Sequence, residues 1–158
     1  MPRETLFRSV LDSPIGPLTL IVSERGVRRI HYGRVPAEAG IIDSQAQTRP
    51  LVRQLEEYFK RRRRDFDLPL DRAGTPFQMR VWNAVREIPY GKTASYGDVA
   101  RTIGCNGSRP IGGANKRNPI PILVPCHRVI AADGSIGGYS GGACGGIEIK
   151  VRLLALEK

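Results

Sequence analysis

The sequence predicts a mixed α/β fold, of the α+β type, in two domains at residues 1–72 and 73–158. Thr5–Leu11 and Pro17–Ser23 are strand-like runs on either side of a turn that contains Pro and Gly, which is typical of a β-hairpin. In the second half, apolar residues from Phe77 onward recur at the spacing of a helix. We therefore expect a small antiparallel sheet first and a mostly helical domain after it.

The N-terminal domain is predicted to add a third strand and one helix. Val27–Tyr32 is the predicted strand, and a loop or short helix is expected at residues 33–46. The apolar residues of Arg49–Phe59 have the spacing of a helix. The helix ends in the basic run Lys60–Arg64, which either contacts phosphates or, as we favour, is a solvated helix end. Asp65–Thr75 is rich in turn residues, and we place the domain boundary there.

Helix signals follow one another in the C-terminal domain. Thr75 is predicted to cap a helix that ends at Pro89–Gly91. A second helix begins at a capping box opened by Ser95 and ends at Gly104. A third opens at Arg109, so the last two have the spacing of a helix-turn-helix.

The third helix is unusual for a DNA-reading element. A helix that reads the major groove carries Arg, Asn or Gln on its exposed face, whereas Ile111–Ala114 is mostly small. Small residues allow close approach either to a narrow minor groove or to a neighbouring helix, and the sequence leaves both open. Arg109 stands alone at the helix start, where it is placed to enter a base stack.

Composition excludes several protein classes. The chain has 158 residues and a net charge of +10, with 41% hydrophobic and 25% charged residues. The charge favours polyanion binding, although solubility explains it equally well. No apolar run reaches the roughly 20 residues of a membrane span, and the N-terminus lacks the pattern of a signal peptide. We therefore expect a cytoplasmic protein without a membrane partner.

The cysteines are the strongest chemical signal. Cys105, Cys126 and Cys144 lack the spacing of a disulfide framework or a zinc site, and two histidines are too few for a metal centre. We therefore expect no metal. Cys126 stands beside His127 and is a candidate nucleophile, although most such cysteines are only buried small hydrophobic residues.

The residues before Cys126 predict its local structure. Ile122–Val124 is typical of a buried strand, and Pro125 should end its pairing, which places Cys126 at a strand end. Adjacent residues of a strand point to opposite faces, so His127 would reach the thiol only through a water or a turn. A third group would orient His127, and the candidates are Glu148 and Glu157.

The last part of the chain combines a glycine-rich segment with a helix. Asp133–Gly146 either brings backbone groups close to a flat ligand, with Tyr139 and Ser140 as polar handles, or forms a surface loop. Ile149–Glu157 is predicted to be a helix whose inward residues are Val151, Leu154 and Ala155.

These motifs resemble the O6-alkylguanine-DNA alkyltransferase family over nearly the whole chain. The strongest matches are Pro125–Val129, Gly112–Asn115 with Asn118 and Pro119, and Tyr139–Gly142. Further matches are Gly74–Gln78 with Val81 and Trp82, Ile88–Gly91 with Ser95–Gly97, and Asp12–Leu18.

The resemblance implies a fold and a reaction. The N-terminal domain would be a ribonuclease-H-like domain of structural role, and the C-terminal domain would bind the minor groove of DNA through its helix-turn-helix. The damaged guanine would be flipped out of the stack. Its alkyl group would pass from O6 to a cysteine and stay there, so each molecule would react once and need no cofactor. The expected partner is double-stranded DNA with O6-alkylguanine, and we expect a monomer.

The resemblance also implies catalytic roles at matching positions. Cys126 would be the alkyl acceptor, and His127 would take its proton through a water. Glu157 would orient His127. Tyr96 would crowd the 3′ phosphate and donate toward guanine N3.

Other matching positions would form the base pocket. The backbone near Ser140 would donate to guanine O6, and Tyr139 and Pro121 would line the pocket. The carbonyl groups of Cys126 and Val129 would accept from the exocyclic amine.

The DNA interface is implied in the same way. Arg109 would fill the gap left by the flipped base, and Asn118 would be a hinge between the helix-turn-helix and the active-site turn. The remaining DNA-binding positions would be Ser95, Tyr96, Pro110, Gly112, Gly113 and Asn115.

Two features depart from the family pattern. Some members hold a structural zinc on N-terminal Cys and His residues, but the N-terminal half here has only His31, so zinc is not carried over. The stretch between Gly142 and Lys150 is longer than usual, which leaves the range of accepted alkyl groups open.

Three other functions compete with this interpretation. A non-catalytic damage binder of the alkyltransferase-like type would have Trp in place of Cys126. A small transcription regulator would carry base-reading side chains on its recognition helix. A cysteine hydrolase would release its product and turn over many times.

Overall fold

The computed structural model describes residues 4–136 and 146–158. The chain divides into two compact units, Met1–Ala73 and Gly74–Lys158, called here the N-terminal and C-terminal units. The first contains a small sheet and one helix, and the second is mostly helical. The predicted fold class is therefore confirmed. In the part of the chain described, no helix is long and apolar enough to cross a membrane.

A four-stranded sheet and one long helix form the N-terminal unit. The strands are β1 (Leu6–Ser13), β2 (Gly16–Ser23), β3 (Gly26–Tyr32) and β4 (Ile41–Asp43), and the helix is α1 (Gln45–Phe59). The sheet order is β3-β2-β1-β4. The first three strands pair antiparallel, as predicted, whereas β4 pairs with β1 in parallel, so the sheet is mixed.

The segment before α1 differs from its prediction. Residues 33–46 contain β4 and the start of α1 rather than only a loop or short helix. The helix begins before Arg49 because the Ser44 side chain caps it, accepting a hydrogen bond from the Gln47 amide. A three-residue strand such as β4 is too short to show an alternation of apolar and polar residues in the sequence. Only its pairing with β1 in the structure identifies it as a strand.

The N-terminal unit closes over an apolar core. Its fully buried side chains come from β2, β3 and α1, and include Leu18, Leu20, Ile30, Leu51, Leu55 and Tyr58. The connector after α1 runs along β3, where Val27 N donates to Pro69 O at 2.9 Å and Asp71 N donates to Val27 O at 2.8 Å. Gly26 sits at this contact with φ 145°, and a Cβ there would collide with the Pro69 carbonyl.

Short helices and one two-stranded ladder form the C-terminal unit. The helices are α2 (Pro76–Arg86), α3 (Tyr96–Ile103), α4 (Arg109–Lys116) and α5 (Ile147–Leu156). The strands β5 (Ala94–Ser95) and β6 (Val129–Ile130) pair in parallel. A 3₁₀ turn, Cys126–Arg128, leads directly into β6.

Local capping signals fixed the starts of α2 and α3 as predicted. The Thr75 side chain accepts from the Gln78 amide, and Ser95 and Asp98 form a complete capping box at α3. Gly104 ends α3 in the left-handed conformation, with φ 71°. α2 stops at Arg86, slightly before the predicted end. The order α3, short loop, α4 is that predicted for a helix-turn-helix.

The helix-turn-helix rests on α2 through a buried tryptophan. Trp82 is 1% exposed, and its indole Nε1 donates to the Ala114 carbonyl of α4 at 2.8 Å. The buried ring packs α4 against α2 by apolar contact. The hydrogen bond from its only donor also fixes the orientation of α4. The position of α4 is therefore set from inside the unit.

Candidate active site

The residues before Cys126 form a tight turn and not the predicted strand. Pro121 and Val124 pair with each other across the turn, and Ile122 has φ 75°. Asn118 holds the turn from within, since its Nδ2 donates to Val124 O at 2.8 Å and its Oδ1 accepts from Ile120 N at 3.0 Å. The strand prediction is wrong because side-chain hydrogen bonds replace a ladder here, although the predicted burial is correct.

Cys126 lies at the junction of two turns rather than at a strand end. Pro125 has φ −79° and ψ 67°, the values of an inverse γ-turn, and Cys126 N donates to Val124 O at 2.7 Å. The Cys126 carbonyl accepts from the backbone N–H of Val129 and, at 3.2 Å, from Nδ2 of Asn115. Cys126 is 1% exposed, and its peptide groups are hydrogen-bonded on both sides.

His127 forms a buried pair with the residue that follows α5. Its Nε2 lies 2.8 Å from Oε2 of Glu157, and both side chains are 1% exposed. A carboxylate only accepts hydrogen bonds, so Nε2 carries the proton and Nδ1 keeps a lone pair. Within residues 4–136 and 146–158, the buried Nδ1 has no hydrogen-bond partner. Of the two candidate acids, Glu157 reaches His127, while Glu148 is exposed at the start of α5.

Arg128 is a site residue that the sequence reasoning missed. Its Nε donates to Glu157 Oε1 at 2.9 Å and its Nη2 to Oε2 at 3.0 Å. Its Nη1 donates to the Ile88 carbonyl at 2.7 Å, and its guanidinium lies 5.7 Å from the Tyr90 ring centroid. The sequence did contain a signal for this role, because Arg128 stands in an otherwise apolar stretch. A buried arginine needs hydrogen-bond or ion-pair partners, so such an arginine is a candidate site residue. Arg128 thus supplies the counterion of Glu157.

This arrangement sets the resting charge of His127. Burial lowers the pKa of His127 below its ordinary 6.5, and this effect outweighs the opposing attraction of Glu157. The positive charges of Arg128 and Lys150 lower the pKa further. The histidine therefore rests neutral, which is the form a general base requires.

The predicted inward face of α5 is wrong at two of its three residues. Val151 is 43% exposed and Ala155 is exposed, and only Leu154 is half-buried, whereas Lys150 and Leu153 are buried. The Lys150 Nζ donates to the carbonyls of Val129 and Ile136, the latter at 3.3 Å. These buried hydrogen bonds set the orientation of α5. The apolar residues alone therefore did not identify its buried face.

Lys150 also approaches a predicted site residue. Its Nζ lies 5.8 Å from the ring centroid of Tyr96, at the start of α3. Tyr96 and Ser95 are half-buried. A Cβ added at Gly112 would lie 3.9 Å from the Tyr96 ring, an ordinary van der Waals distance, so α4 lies next to α3 at this residue.

The predicted DNA-facing residues separate into two groups. Arg109, Pro110 and Gly113 are exposed on α4, and Gly112 is half-buried. Asn115, in contrast, is only 2% exposed and bonds to the Cys126 carbonyl. Its predicted place on the DNA surface is therefore corrected to the interior, because it lies on the face of α4 that packs on the turn of residues 118–126, called here the acceptor turn.

The predicted pocket residues are only partly described. Pro121 and Val129 are buried beside the acceptor turn, and Ile136 packs against Cys126. Tyr139 and Ser140 lie outside the described residues. Among the residues that the structure does describe, no three His, Cys, Asp or Glu side chains gather as metal ligands.

A buried cysteine followed directly in the sequence by a buried histidine–carboxylate pair is typical of proteins with a cysteine nucleophile. Residues 6–72 match the model of the 6-O-methylguanine DNA methyltransferase ribonuclease-like domain, and residues 76–158 match that of the 6-O-methylguanine DNA methyltransferase DNA binding domain. The chain belongs to the 6-O-methylguanine DNA methyltransferase family. The resemblance inferred from the sequence motifs is confirmed.

Individual relatives agree over nearly their whole length. A methylated-DNA--protein-cysteine methyltransferase of Methanosarcina acetivorans is 43% identical over 157 residues, covering 96% of this chain and 98% of the relative. One of Mycobacterium tuberculosis is 45% identical over 152 residues, covering 94% and 90%.

Solved structures show the same likeness in three dimensions. The crystal structure of Mycobacterium tuberculosis OGT in complex with DNA superposes with a TM-score of 0.88 at 43% identity, covering 96% of this chain and 92% of that chain. An O6-methylguanine-DNA methyltransferase from Pyrococcus kodakaraensis gives a TM-score of 0.66 at 27% identity, covering 97% and 99%.

Proposed function

We propose that this protein repairs DNA by transferring an alkyl group from O6 of guanine to the sulfur of Cys126. The observation that carries the proposal is the buried Cys126 beside the His127–Glu157 pair, in a chain of the 6-O-methylguanine DNA methyltransferase family. The names of the relatives from Methanosarcina and Mycobacterium state, for those proteins, methyl transfer from methylated DNA to a protein cysteine. The matched ranges and identities support extending it to this chain.

The reaction needs only groups that the chain and its substrate supply. The Cys126 thiol loses its proton through a water to Nδ1 of His127, and Glu157 stabilises the imidazolium that results. The thiolate attacks the alkyl carbon from the side opposite oxygen. An S–C bond forms as the C–O bond breaks, and the electron pair remains on guanine, which takes up one proton.

The product limits the protein to a single reaction. A thioether is stable, and neither His127 nor Glu157 is able to reverse an S–C bond. We therefore infer one transfer per molecule, with no cofactor. This distinguishes the protein from a cysteine hydrolase, which regenerates its thiol.

The base pocket is proposed around the acceptor turn. Val129 and Pro121 border it from the turn, and Tyr96 donates toward guanine N3 from the start of α3. Tyr139 and Ser140 keep their assignment from the family resemblance alone. The flipped guanine enters this pocket because a base inside the duplex would not reach a buried sulfur.

DNA binding is proposed for the exposed side of the helix-turn-helix. Arg109 and Pro110 begin α4, and Gly112 and Gly113 present little bulk, which suits the minor groove. Arg109 fills the space that the flipped base leaves, and Asn118 is the hinge to the acceptor turn. In this proposal residues 73–158 bind DNA and accept the alkyl group, residues 1–72 have a structural role, and one monomer is sufficient.

Intact-protein mass spectrometry tests the proposal. The purified protein is mixed with a duplex that contains one O6-methylguanine, and each molecule is expected to gain the mass of one methyl in place of hydrogen. Peptide mapping should place this mass on Cys126. The Cys126→Ser variant should gain nothing and still bind DNA, while Cys105→Ser serves as the matched control and should react like the wild type. Restored guanine with an unmodified protein, or many lesions repaired per molecule, would refute the proposal.

A further inference from the structure

Asn115 joins the helix that carries Arg109 to the residue that carries the reactive sulfur. α4 has eight residues, with Arg109 exposed at its first position and Asn115 buried in its last turn. Nδ2 of Asn115 donates to the carbonyl oxygen of Cys126 at 3.2 Å in a buried setting. One short, rigid stretch of helix thus separates an exposed cation from a direct bond to the Cys126 backbone.

In the part of the chain that the structure describes, the Asn115 side chain bonds to the Cys126 peptide itself. Two local backbone bonds also hold this peptide, from Cys126 N to Val124 O and from Val129 N to Cys126 O. Asn118, the proposed hinge, bonds one step away, at Val124 O. The two asparagines therefore hold neighbouring parts of the acceptor turn, and of the two only Asn115 does so from within α4.

The location of α4 makes this contact effective. Trp82 anchors the same last turn of α4 by donating to the Ala114 carbonyl at 2.8 Å. Asn115 follows Ala114 directly, so its amide projects from a helix that cannot shift freely. The Cys126 carbonyl then has two protein donors, Val129 N and Asn115 Nδ2, which restrain the plane of the peptide and hence the direction of the Cα–Cβ bond.

We propose that Asn115 is a positioning residue for alkyl transfer, which orients Cys126 through its carbonyl and links that orientation to α4. The proposal rests on the function proposed above. In-line attack requires the sulfur to be placed within about half an ångström, and a misplacement of about 1 Å slows a reaction by about 100-fold. A tilt of the Cys126 peptide moves its sulfur by such a distance without any change at the DNA surface.

The proposal differs measurably from a DNA-contact role for Asn115. A DNA contact would lower affinity for duplex and leave reaction with free O6-methylguanine unchanged. A positioning role slows both reactions and leaves duplex affinity intact, because the side chain is only 2% exposed. The free base therefore separates the two roles.

Three variants test the proposal against the wild type. Asn115→Leu removes the donor at similar volume, Asn115→Asp replaces it with an isosteric acceptor, and Asn83→Ala on the exposed side of α2 is the control. Single-turnover transfer is measured with methylated duplex and with free O6-methylguanine, together with duplex affinity and melting temperature. We expect Asn115→Leu to react at least about tenfold more slowly on both substrates, with duplex affinity within about twofold of the wild type. The control should match the wild type.

The Asn115→Asp variant gives a readout that a merely structural role would not move. The carboxylate that this substitution introduces only accepts hydrogen bonds when ionised, whereas its protonated form donates an O–H to the Cys126 carbonyl. The rate of the variant relative to the wild type should therefore rise as pH is lowered. This variant decides the matter even if Asn115→Leu does not fold.

The outcomes are separable from those of the proposed function. If the wild type transfers nothing, the proposed function fails. If the wild type transfers and the folded Asn115 variants keep its rate on the free base, or if Asn115→Asp shows a deficit independent of pH, the positioning role is wrong and the proposed function stands.

Discussion

The two units of the chain use charge in opposite ways. In the N-terminal unit the core is apolar and the ion pairs lie near the surface, as between Arg25 and Glu4 at 2.9 Å. In the C-terminal unit, Arg128, Glu157 and Lys150 are buried around the candidate site. Buried ion pairs often stabilise less than apolar residues of the same volume, so their presence indicates a role beyond stability. The difference agrees with the proposal that residues 1–72 have a structural role and that residues 73–158 carry the chemistry.

The surface ion pairs of the N-terminal unit still have a defined electrostatic effect. Partial burial raises the pKa of Asp71, but hydrogen bonds from Ser23 and Arg28 outweigh it and bring the pKa to about 2. Arg28 also pairs with Glu4. This network joins β2, β3 and the connector and includes neither Cys126 nor His127, which sets it apart from the Arg128–Glu157 pair.

The largest expected effect comes from breaking the buried pair. Arg128→Met should lower the free energy of unfolding by about 3–5 kcal/mol, because Glu157 would keep its charge without its counterion. Removal of a cation that lowers the pKa of His127 should also raise that pKa. Urea unfolding measures the first effect, and the pH profile of alkyl transfer by the folded variant measures the second.

Arg25→Met is the matched control for the buried pair. Arg25 is exposed and its pair with Glu4 is screened by solvent, so its removal should change the free energy of unfolding far less than Arg128→Met does. It should also leave the pH profile of transfer unchanged. Equal losses of stability in the two variants would contradict the comparison.

A core truncation in the N-terminal unit should affect stability alone. Leu55 is fully buried in α1, and Leu55→Ala should lower the free energy of unfolding by about 2–5 kcal/mol through the cavity it leaves. At a temperature where the variant is folded, its rate with free O6-methylguanine should equal that of the wild type. Val52→Ala, at a half-buried position of the same helix, is the control and should destabilise less. A slower reaction by folded Leu55→Ala would show that the N-terminal unit takes part in the chemistry.

The smallest expected effect is a shift of the acid limb in the pH profile of the transfer rate. Because the pKa of His127 is lowered, the neutral base persists below pH 6.5, and the acid limb of the transfer rate should lie below that pH. As the pH falls, His127 takes up its proton in the unfolded chain before it does so in the folded protein. The contribution of neutral His127 to the free energy of unfolding is therefore complete above pH 6.5 and is lost as the pH falls through the lowered pKa. Single-turnover transfer assays and urea unfolding across pH measure the two trends.

A second histidine provides the control for this pH dependence. Burial and the charge of Arg29 also lower the pKa of His31, in the N-terminal unit. His31→Gln should therefore change the pH dependence of stability but leave the acid limb of transfer where it is. An acid limb at or above pH 6.5 in the wild type would show that another group limits the reaction.

Local sequence patterns predicted the features whose causes are local. The caps at Thr75 and Ser95 and the end of α3 at Gly104 depend on residues within a few positions of each other, and the structure contains them as predicted. The β1–β2 hairpin follows for the same reason. The family resemblance added Glu157 as the partner of His127, a pairing across 30 positions that no local pattern contains.

The failed predictions share a physical cause. Ile122–Val124 was predicted as a strand because apolar residues indicate burial, but burial does not specify which groups satisfy the backbone, and here Asn118 does so. The buried face of α5 was predicted from its apolar residues. Lys150 lies on the buried face instead, because its Nζ donates to the Val129 carbonyl. In each case a polar side chain, buried by long-range contacts, decided the geometry.

The sequence by itself predicted the fold class, the caps at Thr75 and Ser95 and the β1–β2 hairpin, and it singled out Cys126 and His127 as candidates for the chemistry. Only the tertiary structure decided that Arg128 neutralises Glu157, that Asn115 faces the acceptor turn and that Lys150 lies on the packed face of α5. The physical reason is range. Capping and periodicity act over a few residues, whereas the partner of a buried charge or amide is chosen by whichever distant group the packed chain brings within hydrogen-bond distance.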